Sequence, residues 1–151
     1  MVKSAQLEEI HNAIAALQRL VELFQKRRSQ LAESVGLTDH QWGVLEQVST
    51  EHFMPSMFAR QRESSAAAVS KTLRQLTDKE LIEASPSEGD GRQRKYQLTQ
   101  RGRRVMAKLR KSRQAAIEQI WQQLDPSKVR SFNLFANDLA NRLSDLVSHP
   151  H

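Results

Sequence analysis

The sequence predicts a mainly helical chain with one small β-hairpin, and three observations predict it. Apolar residues recur at spacings of three and four through most of the 151 residues, the mark of amphipathic helices. Two short stretches, 81–85 and 92–98, read instead as extended, with a Gly/Asp-rich turn at 86–91 between them. Hydroxyl side chains stand just ahead of three periodic runs, at Thr38, Ser65 and Thr99, where helix N-caps are needed.

The elements follow in order. Leu7, Ile10, Ile14, Leu17, Val21 and Phe24 form one stripe, which predicts a first helix over about 4–33, with Glu8, Glu9, Arg19 and Glu22 off the stripe. Gly36 ends it. Thr38 caps a second helix, in which Trp42, Leu45 and Val48 repeat every three residues. Pro55 suits the first turn of a short third helix holding Met57, Phe58 and Ala59. Ser65 caps a fourth, with Val69, Leu73 and Leu76 on its core side and an end near Lys79. In the returning strand Tyr96 and Leu98 face inward while Lys95 and Gln97 point away. Thr99 then caps a long helix through Val105, Leu109, Ile117, Ile120 and Leu124, broken at Asp125-Pro126. Val129, Phe132, Phe135, Leu139, Leu143 and Leu146 form the last helix. Phe24, Trp42 and Trp121 are expected in the core.

Composition bounds the function. The length suits a single domain over 1–151. No run of about 18 apolar residues is present, so no membrane span is expected. The N-terminal MVKSAQLEEIHNA has no apolar signal core, and the chain has no cysteine. A cytoplasmic protein without disulfides, thiol sensor or thiolate metal site is expected. The net charge of +6 is unevenly spread: residues 60–113 hold 15 Lys/Arg against 6 Asp/Glu, and the remainder holds 8 against 11. A basic segment between mildly acidic flanks suits a polyanionic partner, although a solvated charged face has the same composition.

A hairpin this small is not stable alone and must pack on helices. The order helix, helix, capped helix, hairpin over 38–100 describes a winged helix-turn-helix, whose usual partner is duplex DNA. The flanking segments 4–33 and 100–147 carry more apolar surface than such a lobe needs. They read as dimerisation arms that pair with a second copy, giving a homodimer.

In a groove-bound helix the contacts come from the first turns and the outward face. Beyond the Ser65 cap, the positions opposite the core side are Ala66, Ala67, Ser70, Lys71 and Arg74. Small residues let the backbone approach base edges, Ser70 can donate or accept, Lys71 suits phosphate, and Arg74 suits phosphate or guanine. An ordinary surface helix with Ala chosen for propensity is the bland alternative. In the turn 87–92, Arg92 can enter a minor groove, and Arg94 and Lys95 can meet the flanking phosphates. Asp90 either holds the Arg92 guanidinium in one pose or serves the turn alone. Arg101, Arg103, Arg104, Lys108, Arg110, Lys111 and Arg113 cover the next helix, mostly as a solvated face.

Enzyme signals are poor. The five histidines are scattered, and no HExxH, CxxC, GxGxxG, GxxxxGK[ST] or GxSxG occurs. His40 beside Trp42 either lines a pocket or serves as a polar surface or capping group. No catalytic, cofactor-binding or metal residue is assigned.

The segments LTDHQWGVLEQV (37–48) and AVSKTLRQLTDKELIEASPSEGDGRQRKYQLTQRG (68–102) resemble the MarR family of winged helix-turn-helix transcription regulators. The second carries the V-S-[KR]-x-L-x-x-L recognition helix, the [KE]-x-L-I start of the first strand, the D-x-R wing (Asp90, Arg92) and L-T-x-x-G (Leu98, Thr99, Gly102). The resemblance implies a homodimer on a pseudo-palindromic operator, usually a repressor, often released by a small aromatic or anionic ligand. Branches of that family sense peroxide through cysteine or zinc through His/Cys clusters; this chain has neither set. It also lacks the glycine common in the turn, reading Arg60-Gln61-Arg62-Glu63-Ser64-Ser65. A winged helix docking on an acidic protein is the second hypothesis, and an enzyme acting on nucleic acid, for which no acidic cluster is present, is the third.

Overall fold

Helix α1 (Ser4–Ser34) opens the chain in the computed structural model, which describes residues 3–50, 65–86 and 94–150. It is followed by α2 (Asp39–Val48), α3 (Ala66–Asp78), β1 (Ile82–Pro86), β2 (Arg94–Leu98), α4 (Gln100–Gln119), a 3-10 turn (Trp121–Gln123) and α5 (Pro126–Ser148). The expected short helix around Met57 and the turns at 60–64 and 87–93 lie outside the described residues. Among the described residues no helix is long and apolar enough to cross a membrane.

The caps are local and chemical. Thr38 and Gln41 form a capping box: the Gln41 N–H donates to Thr38 Oγ1 at 3.1 Å, and the Thr38 N–H donates to Gln41 Oε1 at 3.1 Å. The Ala68 N–H donates to Ser65 Oγ at 3.0 Å, and the Gly102 N–H to Thr99 Oγ1 at 3.0 Å. Asp125 accepts from the Ser127 N–H at 2.9 Å, with Pro126 as the first residue of α5.

Two helices end in the same 6→1, 5→2 hydrogen-bond pattern. At the end of α1, Leu37 N–H donates to Ala32 O at 2.9 Å and Gly36 N–H to Glu33 O at 3.0 Å, with Gly36 at φ +75°. At the end of α3, Leu81 N–H donates to Leu76 O at 3.0 Å and Glu80 N–H to Thr77 O at 2.9 Å. The left-handed residue there is Glu80, at φ 60°. A side chain is strained in that region, and the contacts around it hold it there. Leu81 is buried beside Leu76, and Thr99 Oγ1 donates to the Glu80 carbonyl at 2.6 Å.

The chain divides into two compact units, Met1–Leu109 and Arg110–His151. The first holds the core: Leu31, Ala32, Leu37, Trp42, Val44, Leu45, Val48, Val69, Leu73, Leu76, Leu81, Ile82, Met106 and Leu109. The hairpin is antiparallel with Ile82 opposite Leu98 and Ala84 opposite Tyr96. Ile82 enters the core while Glu83 and Gln97 face water, joined by a 2.8 Å bond from Gln97 Nε2 to Glu83 Oε1. In the second unit no described residue is buried.

Three sequence expectations need correction. The first strand begins at Ile82, one residue late, because Leu81 completes the cap of α3. The long helix stops at Gln119 instead of continuing through Leu124; the Ile120 φ of −111° breaks its path and the 3-10 turn follows. Trp42 is a core residue at 2% exposure, but Phe24 (56%) and Trp121 (39%) are not. Both lie on apolar stripes that the single chain leaves open to solvent.

Candidate nucleic-acid interface

The candidate surface is built on α3. Its core ridge Val69, Leu73 and Leu76 is sunk against the lobe, and the helix carries its polar groups on the other side. Ser65, Ala66, Ala67, Ser70, Lys71 and Arg74 are all exposed. Periodicity thus predicted both faces of this helix correctly. Ser65 spends its side chain on the Ala68 N–H, so its remaining capacity faces outward at the tip of the helix. Beyond it lie two methyl groups, one hydroxyl and two cations, a row that offers little steric bulk at the tip and positive charge further along.

Lys95 is exposed on β2, and Arg94 is paired with Pro86 in the register. Asp90 and Arg92 fall outside the described residues. Between α3 and the hairpin lies a depression of about 320 Å³, lined by Ser70, Leu73, Arg74, Thr77, Ala84 and Tyr96. Two of the candidate contact residues, Ser70 and Arg74, therefore border the hairpin as well as solvent.

Sequence reasoning missed how α3 is seated. Thr72, buried at 4% exposure, sits with its Oγ1 2.7 Å from His40 Nδ1. One turn along, Gln41 Nε2 donates to Gln75 Oε1 at 3.0 Å. Two consecutive residues of α2 thus grip α3 by polar bonds. His40 is exposed and belongs to this contact, a role that neither a pocket wall nor a plain surface group describes. The signal that was legible is the T-x-x-Q spacing of Thr38 and Gln41, a capping box that places the Gln41 amide at the start of α2.

The joint between α1 and α2 is also polar. The Arg28 guanidinium lies 4.0 Å from the Trp42 ring centroid, and its nitrogens approach Glu46 at 3.4 Å and Asp39 at 3.9 Å. Ser29 Oγ donates to Asp39 at 2.8 Å. A planar guanidinium can stack and bond in its plane at once, which an ammonium cannot. The base of α4 is fixed differently. Thr99 N–H donates to Leu81 O at 3.0 Å, and a Cβ at Gly102 would lie 2.1 Å from that same oxygen. Only glycine admits this approach, which gives the L-T-x-x-G spacing its physical reason.

Comparison with known proteins agrees with this architecture. Residues 35–93 match the model of the MarR family. The crystal structure of a MarR family transcription regulator superposes with TM-score 0.85 at 18% identity, covering 97% of each chain. Staphylococcus aureus MarR in complex with salicylate and kanamycin gives 0.72 at 17% identity, covering 94% of this chain and 95% of that one. Streptococcus pneumoniae FabT in complex with DNA gives 0.72 at 18%, covering 93% and 99%. No curated protein matches the sequence. The chain is thus similar to the MarR family over residues 35–93 and has the fold of the solved MarR family transcription regulators.

Proposed function

We propose that the chain is a cytoplasmic, homodimeric transcription regulator, and not an enzyme, that binds a pseudo-palindromic duplex operator in a sequence-specific way. It acts as a repressor and is released by a small aromatic or anionic ligand. The observation that carries the DNA reading is the outward row of α3: Ala67, Ser70, Lys71 and Arg74 exposed beyond a capped N-terminus, with the opposite ridge buried. The local excess of cations over residues 60–113 supports it. Support for a dimer comes from Ile10, Ile14 and Val21 on α1 and Phe132, Phe135 and Leu146 on α5, all large apolar side chains open to solvent in the single chain. DNA in the FabT structure and salicylate in the S. aureus MarR structure support the partner and effector by likeness of fold alone.

In this reading Ser65, Ala66, Ala67, Ser70, Lys71 and Arg74 meet the major groove and its phosphates. Asp90, Arg92, Arg94 and Lys95 serve the wing. Selection of binding sites from random duplexes by the purified chain tests it. A twofold-symmetric site is expected, with half-sites about one helical turn (roughly 34 Å) apart. If the dimer neutralises roughly 6–10 phosphates, affinity should fall by about 10³–10⁵ between 50 and 200 mM salt. Lys71→Ala should weaken all duplexes alike, and Arg74→Ala should separate a base contact from a phosphate contact by whether its loss is confined to the selected site. A flat salt response with no selected site defeats the reading and favours the acidic-protein partner.

A further inference from the structure

We propose that His40 and Gln41, at the start of α2, are positioning residues that set the angle at which α3 presents Ser70, Lys71 and Arg74, and so govern discrimination between sequences. The proposal rests on α3 being the DNA-contacting helix.

Successive residues of a helix are about 100° apart, so Thr72 and Gln75 share one flank of α3, between the buried ridge and the outward row. That flank is held by directional bonds: His40 Nδ1 to Thr72 Oγ1 at 2.7 Å and Gln41 Nε2 to Gln75 Oε1 at 3.0 Å. The Gln41 amide is fixed at its other end too, because its Oε1 accepts from the Thr38 N–H within the capping box. Thr72 is buried, and its Oγ1 also lies 3.1 Å from the Ala68 carbonyl. The hydroxyl has one proton, so both contacts are satisfied when it donates to Ala68 and accepts from a protonated Nδ1 of His40.

The other flank is different. Ser70 and Thr77 border the depression of about 320 Å³ that separates α3 from Ala84 and Tyr96 of the hairpin. The ridge Val69, Leu73 and Leu76 fixes how deep α3 sits, but apolar contact is non-directional and resists rotation weakly. Rotation about the helix axis is therefore set from the α2 side. At roughly 6 Å from the axis, a turn of about 10° carries a side-chain tip by about 1 Å. A base-edge contact needs placement within about 0.5 Å, whereas a long flexible Lys71 still finds a phosphate. Loss of the α2 bonds should cost discrimination and spare sequence-independent binding.

The test uses the full chain, an operator duplex obtained by selection, and a scrambled duplex of equal length. Thr72→Val removes the hydroxyl at constant shape, and Gln75→Met removes the amide at similar length. The double variant leaves His40 Nδ1 and the amide of the buried Gln41 without these partners, so its thermal midpoint should fall by roughly 5–10 °C while the melt stays cooperative, and binding is compared well below that midpoint. Its affinity for the scrambled duplex should stay unchanged while the operator-to-scrambled ratio falls about tenfold, the loss equivalent to one directional bond. Thr72→Ser, which keeps the hydroxyl, should retain the ratio. His40→Asn, which keeps a hydrogen-bonding group at the Nδ1 position, should retain more of it than His40→Ala. A ratio within about twofold of wild type in the double variant, or an equal loss on both duplexes, overturns this proposal alone. A wild-type chain that does not discriminate between the duplexes overturns the DNA reading and this proposal together.

Discussion

Helices α3 and α5 carry the same kind of apolar stripe, and their surroundings treat it in opposite ways. In α3, Val69, Leu73 and Leu76 are at most 4% exposed, because α2 and β1 of the same chain cover them. In α5, Phe132, Phe135, Leu143 and Leu146 are 44–65% exposed, and no described residue of their unit is buried. Periodicity reports that a helix has an apolar side; it does not report what covers that side. The lobe completes its core within one chain, while α5 and the first six turns of α1 hold apolar surface for which a second copy is the proposed cover. Each fully buried Leu or Phe contributes about 1.5–3 kcal/mol, so leaving several half-open forgoes a free energy comparable to the whole stability of a small domain.

The contrast can be broken most forcefully on the α5 side. If the chain is the proposed dimer, Phe135→Glu with Leu146→Glu should convert it to a monomer at micromolar concentration in sedimentation, with four apolar side chains lost per dimer at about 1.5–3 kcal/mol each. Leu73→Glu in α3 should instead abolish the folded lobe, seen as loss of a cooperative melt. A double variant that remains dimeric would remove α5 from the interface. Next in size is Gly102→Ala. The new Cβ would meet the backbone carbonyl oxygen of Leu81 at 2.1 Å, and urea unfolding should register a loss of about 3 kcal/mol. A loss under about 1 kcal/mol would mean that the base of α4 shifts freely.

Smaller effects sharpen the comparison. Glu80→Gly should stabilise the lobe by about 1 kcal/mol by relieving the left-handed strain at the end of α3, with its exposed pairing to Arg101 contributing little in the other direction. A destabilised variant in a denaturant titration would show that this pairing, and not the strain, governs the site. Least of all, Asp138→Ala breaks a 3.0 Å i,i+4 pair with Arg142 on the exposed side of α5 and should change the melting profile by less than about 0.5 kcal/mol. A larger change would indicate that Asp138 and Arg142 are enclosed when the chain assembles.

What the sequence made legible was local. Thr38, Ser65 and Thr99 could be read as caps because a hydroxyl three residues ahead of an N–H acts on its own segment, whatever the rest of the chain does. The two faces of α3 were legible for the same reason. What stayed hidden depends on distant residues. Ile120 and Leu124 continue the apolar period of α4, so nothing in the spacing marked its end at Gln119. Glu80 is an improbable left-handed residue, and it is held there by Leu81 in the core and by Thr99, 19 positions on. His40 and Gln41 reach α3 across more than 30 positions, which no window of helical length can register. Along α3, the exposure of Ser65, Ala66, Ala67, Ser70, Lys71 and Arg74 was therefore readable, and the polar bonds that seat the helix were not.

The clip at the foot of the hairpin has a consequence for how such a chain can change over generations. Leu81 ends α3, and its carbonyl receives Thr99 just as the chain turns into α4. Both strands are thus tied together where they leave the body, and the Gly102 approach locks that point. Residues 87–93 begin and end on paired strands whose register is anchored at Ile82 and Leu98. The clip itself is made wholly of residues outside that segment, so a substitution or a change of length there leaves its bonds in place. If the segment serves the wing as proposed, its sequence can drift toward new targets over generations while the clip beneath it is inherited intact.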